Sequence, residues 1–145
     1  MDGSKTLSEK LDKLVDLLIM QSKRIEEEAR NPLVYIASHK DFEDITRRFK
    51  LVFLFLWAEW CGPCLLLRRK YAKIAKQYAG VENIVFAELD IDKNMKLVEK
   101  LGVEHIPALL VIYNNNVIDE LVGVIESEVL RSKITSYVEE YVKTT

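Results

Sequence analysis

Cysteine is scarce in this chain: 145 residues hold two, and both fall in the stretch Trp57 to Cys64, "WAEWCGPC". That scarcity excludes the disulfide framework of a small secreted scaffold. Histidine is equally scarce, and His39 and His105 stand far from the spacing that would complete a four-ligand zinc site around two thiols. No metal or cofactor is expected on these residues. An excess of one charge is also lacking. A net charge of -2 and a pI near 5.8 provide no basic field for a phosphate backbone, so no nucleic-acid partner is expected. Long hydrophobic runs are missing too. The longest, Leu51 to Ala58 ("LVFLFLWA"), falls far short of the roughly 18 residues that cross a bilayer. The opening "MDGSKTLSEK" shows no basic segment followed by an apolar stretch and a small-residue cleavage site. The expectation is a cytoplasmic protein that does not engage a membrane. In that compartment a Cys-x-x-Cys pair points to redox chemistry or metal binding rather than to a structural disulfide.

What is present is enough apolar sequence, 49%, for one domain with a core. Leu7, Leu11, Leu14, Leu18 and Ile25 recur at alternating four- and three-residue steps, which predicts a helix over residues 5 to about 29. Val15 and Ile19 widen its stripe, while Gln21 and Glu28 interrupt it. Such a helix either packs onto its own domain or pairs with a second copy. Asn31-Pro32 predicts its end, because the residue before a proline is pushed out of the helical region. A boundary follows, with 1–31 an extension and 32–145 the domain.

Within the domain, Ser38 with Asp41 resembles a helix start leading through Phe42, Ile45 and Phe49. Leu51 to Trp57 and Ile84 to Leu89 are continuous apolar runs, as in strands covered on both faces. Helical pattern runs from Pro63 to about Tyr78, closing at Gly80, and from Asp92 to Lys100, ended by Gly102. Ala108 to Tyr113 and Val117 to Val122 flank Asn114-Asn115-Asn116 and read as a hairpin. Val129, Leu130, Ile134, Tyr137, Val138 and Tyr141 share one face of a last helix. Alternation of strand and helix, closed by a hairpin, predicts an α/β fold with a mixed sheet of about five strands between helical layers.

A Cys-Gly-Pro-Cys turn that opens a helix places Cys61 beside unpaired backbone amides. The positive end of the helix favours its thiolate, the form that attacks disulfides. Cys61 is therefore the candidate nucleophile. Cys64, one turn on and on the same face, is the candidate resolving thiol. Gly62 permits the tight loop and Pro63 presets the backbone for helix entry. A zinc or iron-sulfur site would need further ligands, in the chain or across a dimer. A purely structural disulfide would close a loop too short to stabilise much.

"FLWAEWCGPC" after a buried strand, "HIPALLVIY" some forty residues on and "ELVGV" after a hairpin together resemble the thioredoxin family over about residues 32 to 143. The N-terminal helix lies outside the resemblance. It implies a thioredoxin fold and a dithiol-disulfide oxidoreductase that reduces disulfide-containing protein substrates and is recharged by a thioredoxin reductase. It also implies that Pro107 is a cis-proline facing the Cys61-Cys64 loop, with Ile106 offering its backbone to an extended substrate. Trp60, Gly62, Pro63, Ile106, Val122 and Gly123 match the family's apolar docking surface.

Three departures stand out. The family's buried aspartate, two residues before the first tryptophan, is here Phe55, and the lysine on the neighbouring strand is Glu88. Either Glu88 lies buried under Cys64, raised in pKa by desolvation and acting as general base, or it points to solvent and water takes the proton. Leu65 to Leu67 precede Arg68-Arg69-Lys70, a basic triplet that reads as a solvated face. His105 either tunes Cys61 or is merely exposed. Rival functions are a more oxidising oxidase or isomerase and a redox-sensitive adaptor assembled through the N-terminal helix. A reductase is the reading that the Gly-Pro dipeptide favours.

Overall fold

The computed structural model describes residues 3–29 and 32–143, with side chains described over 6–22 and 32–142. The chain divides into two compact units, Met1–Asn31 and Pro32–Thr145. The first is a single helix, α1 (Gly3–Ala29), on which Leu7, Leu11, Leu14 and Leu18 are all exposed. Of the heptad stripe, the Ile25 and Glu28 side chains lie outside the described residues, as does the expected stop at Asn31.

In the second unit the order is β1 (Val34–Tyr35), α2 (His39–Arg48), β2 (Leu51–Trp57), α3 (Gly62–Gln77), β3 (Ile84–Asp90), α4 (Met95–Leu101), β4 (Ala108–Tyr113), β5 (Asn116–Val122) and α5 (Ser127–Val138). A π-helical turn, Glu139–Lys143, continues α5. The five strands form one mixed sheet in the order β1-β3-β2-β4-β5. The first three pair in parallel, whereas β4 runs antiparallel to β2 and to β5.

Local chemistry accounts for the boundaries. Ser38 caps α2 by accepting the Asp41 amide at 3.2 Å. Gly102, with φ +72, closes α4 in the left-handed region. Asn114 and Asn115 both take positive φ, which makes the two-residue turn between β4 and β5 match the twist of its strands. The helix expected from Asp92 begins three residues later, at Met95. Residues between are occupied by a turn in which the Asp92 amide donates to Asp90 Oδ1 at 3.0 Å.

Every residue of β2 and β3 is buried, and their side chains alternate between two cores. Leu51, Phe53, Phe55 and Trp57 pack with Cys64, Leu67, Tyr71 and Ile74 of α3 and with Leu130, Ile134 and Val138 of α5. Val52, Leu54 and Leu56 pack on the other face with Ile45 of α2 and Leu97 of α4. The α3 face therefore runs from the bottom of the sheet up to the cysteines.

Candidate active site

The site stands where β2 ends. Buried Trp57 and Ala58 lead into Glu59 and Trp60, and the Cys61 amide donates to Ala58 carbonyl at 3.1 Å, which folds the chain back into α3. Cys61 is the N-cap of that helix. Its Sγ accepts the Cys64 amide at 3.2 Å, taking one of the amides that a helix start leaves unpaired. Pro63 sits in the first turn, where its missing N–H costs nothing. The two cysteines are joined as a disulfide, with Cα atoms 5.2 Å apart. Their exposures differ: Cys61 keeps 8%, whereas Cys64 is wholly buried.

At the same end of the sheet β4 begins. The peptide between Ile106 and Pro107 is cis. Pro107 is buried and Ile106 partly exposed. The Gly123 amide donates to Pro107 carbonyl at 2.9 Å, so the end of β5 is tied to the proline segment. Gly123 has φ +94, a conformation open to glycine and strained for other residues.

Around the cysteines lies exposed apolar surface. Trp60 is 69% exposed, and Val122, Leu65 and Leu66 are also exposed. Trp60 is held by its indole N–H, which donates to Asp92 Oδ2 at 2.8 Å. Asp92 is in turn placed by the Asp90 turn. His105 is exposed.

Glu88 is 2% exposed and lies on the sheet face of Phe55 and Trp57, in register with Phe55. It does not point to solvent. Its two oxygens accept from Arg68: Nε to Oε2 at 3.0 Å and an Nη to Oε1 at 2.8 Å. The Arg68 guanidinium also lies over the Trp57 ring, 4.9 Å from its centroid. The basic triplet is thus not uniformly a solvated face. Arg69 and Lys70 are exposed, but Arg68 folds inward, because a buried carboxylate needs a partner. Below it, the Tyr71 hydroxyl lies 2.9 Å from Phe53 carbonyl and 3.1 Å from Ala87 carbonyl. Burial, reinforced by the charge of Glu88, pushes its pKa well above the ordinary value and keeps it a neutral donor.

Asp92 and Tyr71 were given no site role from the sequence, and Arg68 was read there only as part of a solvated basic triplet. For Arg68 a signal existed, since it stands four residues after Cys64 on one helix face. For Asp92 and Tyr71 none did, because their partners come from other elements. Among the described residues no group of three or more His, Cys, Asp or Glu is placed to hold a metal ion, and no helix is long and apolar enough to cross a membrane.

A dithiol pair at a helix N-terminus, between a buried core and an exposed apolar rim beside a cis-proline, defines a thiol-disulfide oxidoreductase. The thioredoxin family model matches residues 33–136. Thioredoxin from Chlorobaculum thiosulfatiphilum is 31% identical over 103 residues, which is 70% of this chain and 94% of that protein. Thioredoxin-1 of Caenorhabditis elegans is 32% identical over 111 residues, covering 75% of this chain and 91% of its own. Among solved structures, thioredoxin from Trypanosoma brucei brucei superposes with a TM-score of 0.67 at 27% identity, covering 77% of this chain and 96% of that one. The chain belongs to the thioredoxin family. It has the thioredoxin fold with an added N-terminal helix, and it is a protein-disulfide reductase whose redox pair is Cys61-Cys64.

Proposed function

We propose that Cys61 is the attacking thiolate and Cys64 the resolving one. The carrying observation is their asymmetry: Cys61 caps the helix at the rim with an amide already aimed at its sulfur, while Cys64 is sealed behind it. The Cys61 thiolate attacks one sulfur of a substrate disulfide. That bond breaks, one substrate sulfur leaves as thiolate, and the other stays bonded to Cys61. Deprotonated Cys64 then attacks Cys61 Sγ, the Cys61-substrate bond breaks, and the second substrate thiolate leaves. Two electrons have passed to the substrate, whose thiolates take up protons from water. The Cys61-Cys64 disulfide left behind is returned to the dithiol by a thioredoxin reductase.

Trp60, Ile106, Val122 and Gly123 form the surface on which an extended substrate segment docks, while Gly62, Pro63 and Pro107 shape the loop. An exposed indole beside a nucleophile serves binding better than stability. Cytoplasmic residence suits a dithiol that must be kept reduced. The helix α1 pairs with a second copy through the exposed stripe of Leu7, Leu11, Leu14 and Leu18.

Trapping tests the division of labour. Cys64→Ser is expected to accumulate substrate as a mixed disulfide and Cys61→Ser to accumulate none; a trap on Cys64 reverses the roles. A redox titration tests the direction of electron flow, with about -270 mV expected for a reductant and a value above about -180 mV indicating an oxidase or isomerase. Self-association is read by sedimentation equilibrium, where Leu14→Glu with Leu18→Glu is expected to give a monomer. A parent chain that is already monomeric removes the pairing. If a Cys61→Ser protein retains full function in cells, the adaptor replaces the reductase as the working role.

A further inference from the structure

The family's buried acid is absent from β2, yet a buried carboxylate is present one strand away and is not free. Glu88 faces Arg68 and Tyr71 of α3, with Asp90 next on its own strand face and Tyr35 opposite it in register on β1. Tyr71 is neutral and Phe55 of β2 carries no charge, so Arg68 is the one cation recorded on that carboxylate among the described residues. Arg68 stands one turn after Cys64, where side chains four apart are neighbours. Its guanidinium rests on Trp57, which shares a core with both cysteines. Arg68 and Glu88 are therefore held as a fixed pair against the core that the dithiol packs on, with the carboxylate end buried, the guanidinium end reaching water, and the buried carboxylate of Asp90 further along the same strand face.

We propose that the Arg68-Glu88 pair sets the reduction potential of Cys61-Cys64 by holding the charge beneath the dithiol in balance, with Arg68 as a positioning residue rather than a catalytic one. The inference rests on Cys61 and Cys64 being the redox pair. Its physical content is a sign rule. Reduction creates thiolate, so a positive charge left beneath the dithiol favours the reduced form, and a negative one favours the disulfide. Glu88→Gln strands the guanidinium and makes the potential less negative. Arg68→Met strands the carboxylate and makes it more negative. Arg68→Met with Glu88→Gln removes both charges and returns the potential toward that of the parent.

Potentials of the parent, both single variants and the double variant are measured in defined thiol-disulfide buffers at about pH 8, with Cys61 alkylation rates followed across pH. A unit charge within about 10 Å at an effective dielectric of about 20 changes a thiolate population by about tenfold, which is about 30 mV for this two-electron couple. Opposite shifts of that order in the single variants, cancelling in the double, are expected. Arg68→Lys keeps the charge without the two-pronged bond, and is expected to keep the potential while losing thermal stability. Equal potentials in all four proteins overturn the proposal, as do shifts of one sign that add in the double variant. If Glu88 is instead the proton acceptor for Cys64, stopped-flow resolution is slow in Glu88→Gln and stays slow in the double variant, which also overturns it. Absence of a two-electron transition in the parent itself strikes the redox assignment, an outcome separate from all of these.

Discussion

Replacing Arg68 with methionine leaves a carboxylate that is almost wholly buried without its partner, and the structure sets the size of the penalty. Glu88 has 3% of its side chain exposed and Arg68 32%, so the pair is buried at one end and reaches water at the other. Breaking a fully buried pair from one side costs about 3–5 kcal/mol. Because the guanidinium end of this pair reaches water and can be replaced there in part by solvent, the loss in stability is expected below that range, at about 2–3 kcal/mol. Urea denaturation of parent and variant at pH 7 measures the difference. A loss below about 1 kcal/mol refutes the idea that Glu88 depends on Arg68 as its buried partner.

Other consequences are as direct. Tyr71→Phe keeps the ring that packs against Phe55 and Phe86 and removes only the buried hydroxyl, so a loss of about 1 kcal/mol with an unchanged reduction potential is expected in denaturant titration and redox buffers. Asp92→Ala frees the Trp60 indole, and steady-state kinetics on a disulfide-bonded protein should show KM raised about two- to fivefold with kcat kept; a fall in kcat at constant KM contradicts a docking role. The Tyr137 hydroxyl, pushed up to about 12 by burial and by its bond to Asp119, stays protonated in the fold after the unfolded chain has begun to ionise. Its contribution is complete below about pH 10 and is lost as pH rises toward about 12, so Tyr137→Phe should show a shallower alkaline decline in stability than the parent.

Residue order alone determined much of this protein. Apolar runs in β2 and β3, the capping serine at Ser38, the glycine after α4 and the asparagines between β4 and β5 are local signals, each acting within a few residues, so element order and the mixed sheet were legible before any coordinates. Cys61-Gly62-Pro63-Cys64 at a helix start was legible for the same reason, since helix-end electrostatics needs only sequence neighbours. What only tertiary structure decided is where Glu88 points and what meets it. Alternation along β3 allows either face, and the choice depends on α3 bringing Arg68 and Tyr71 over that strand. A basic triplet looks solvated in sequence because charge and spacing are all that can be seen there. In the folded chain a buried carboxylate draws one of the three inward, and Asp92 reaches Trp60 across a gap of 32 residues. Sheet register and helix packing place those partners together, and burial makes their charges count.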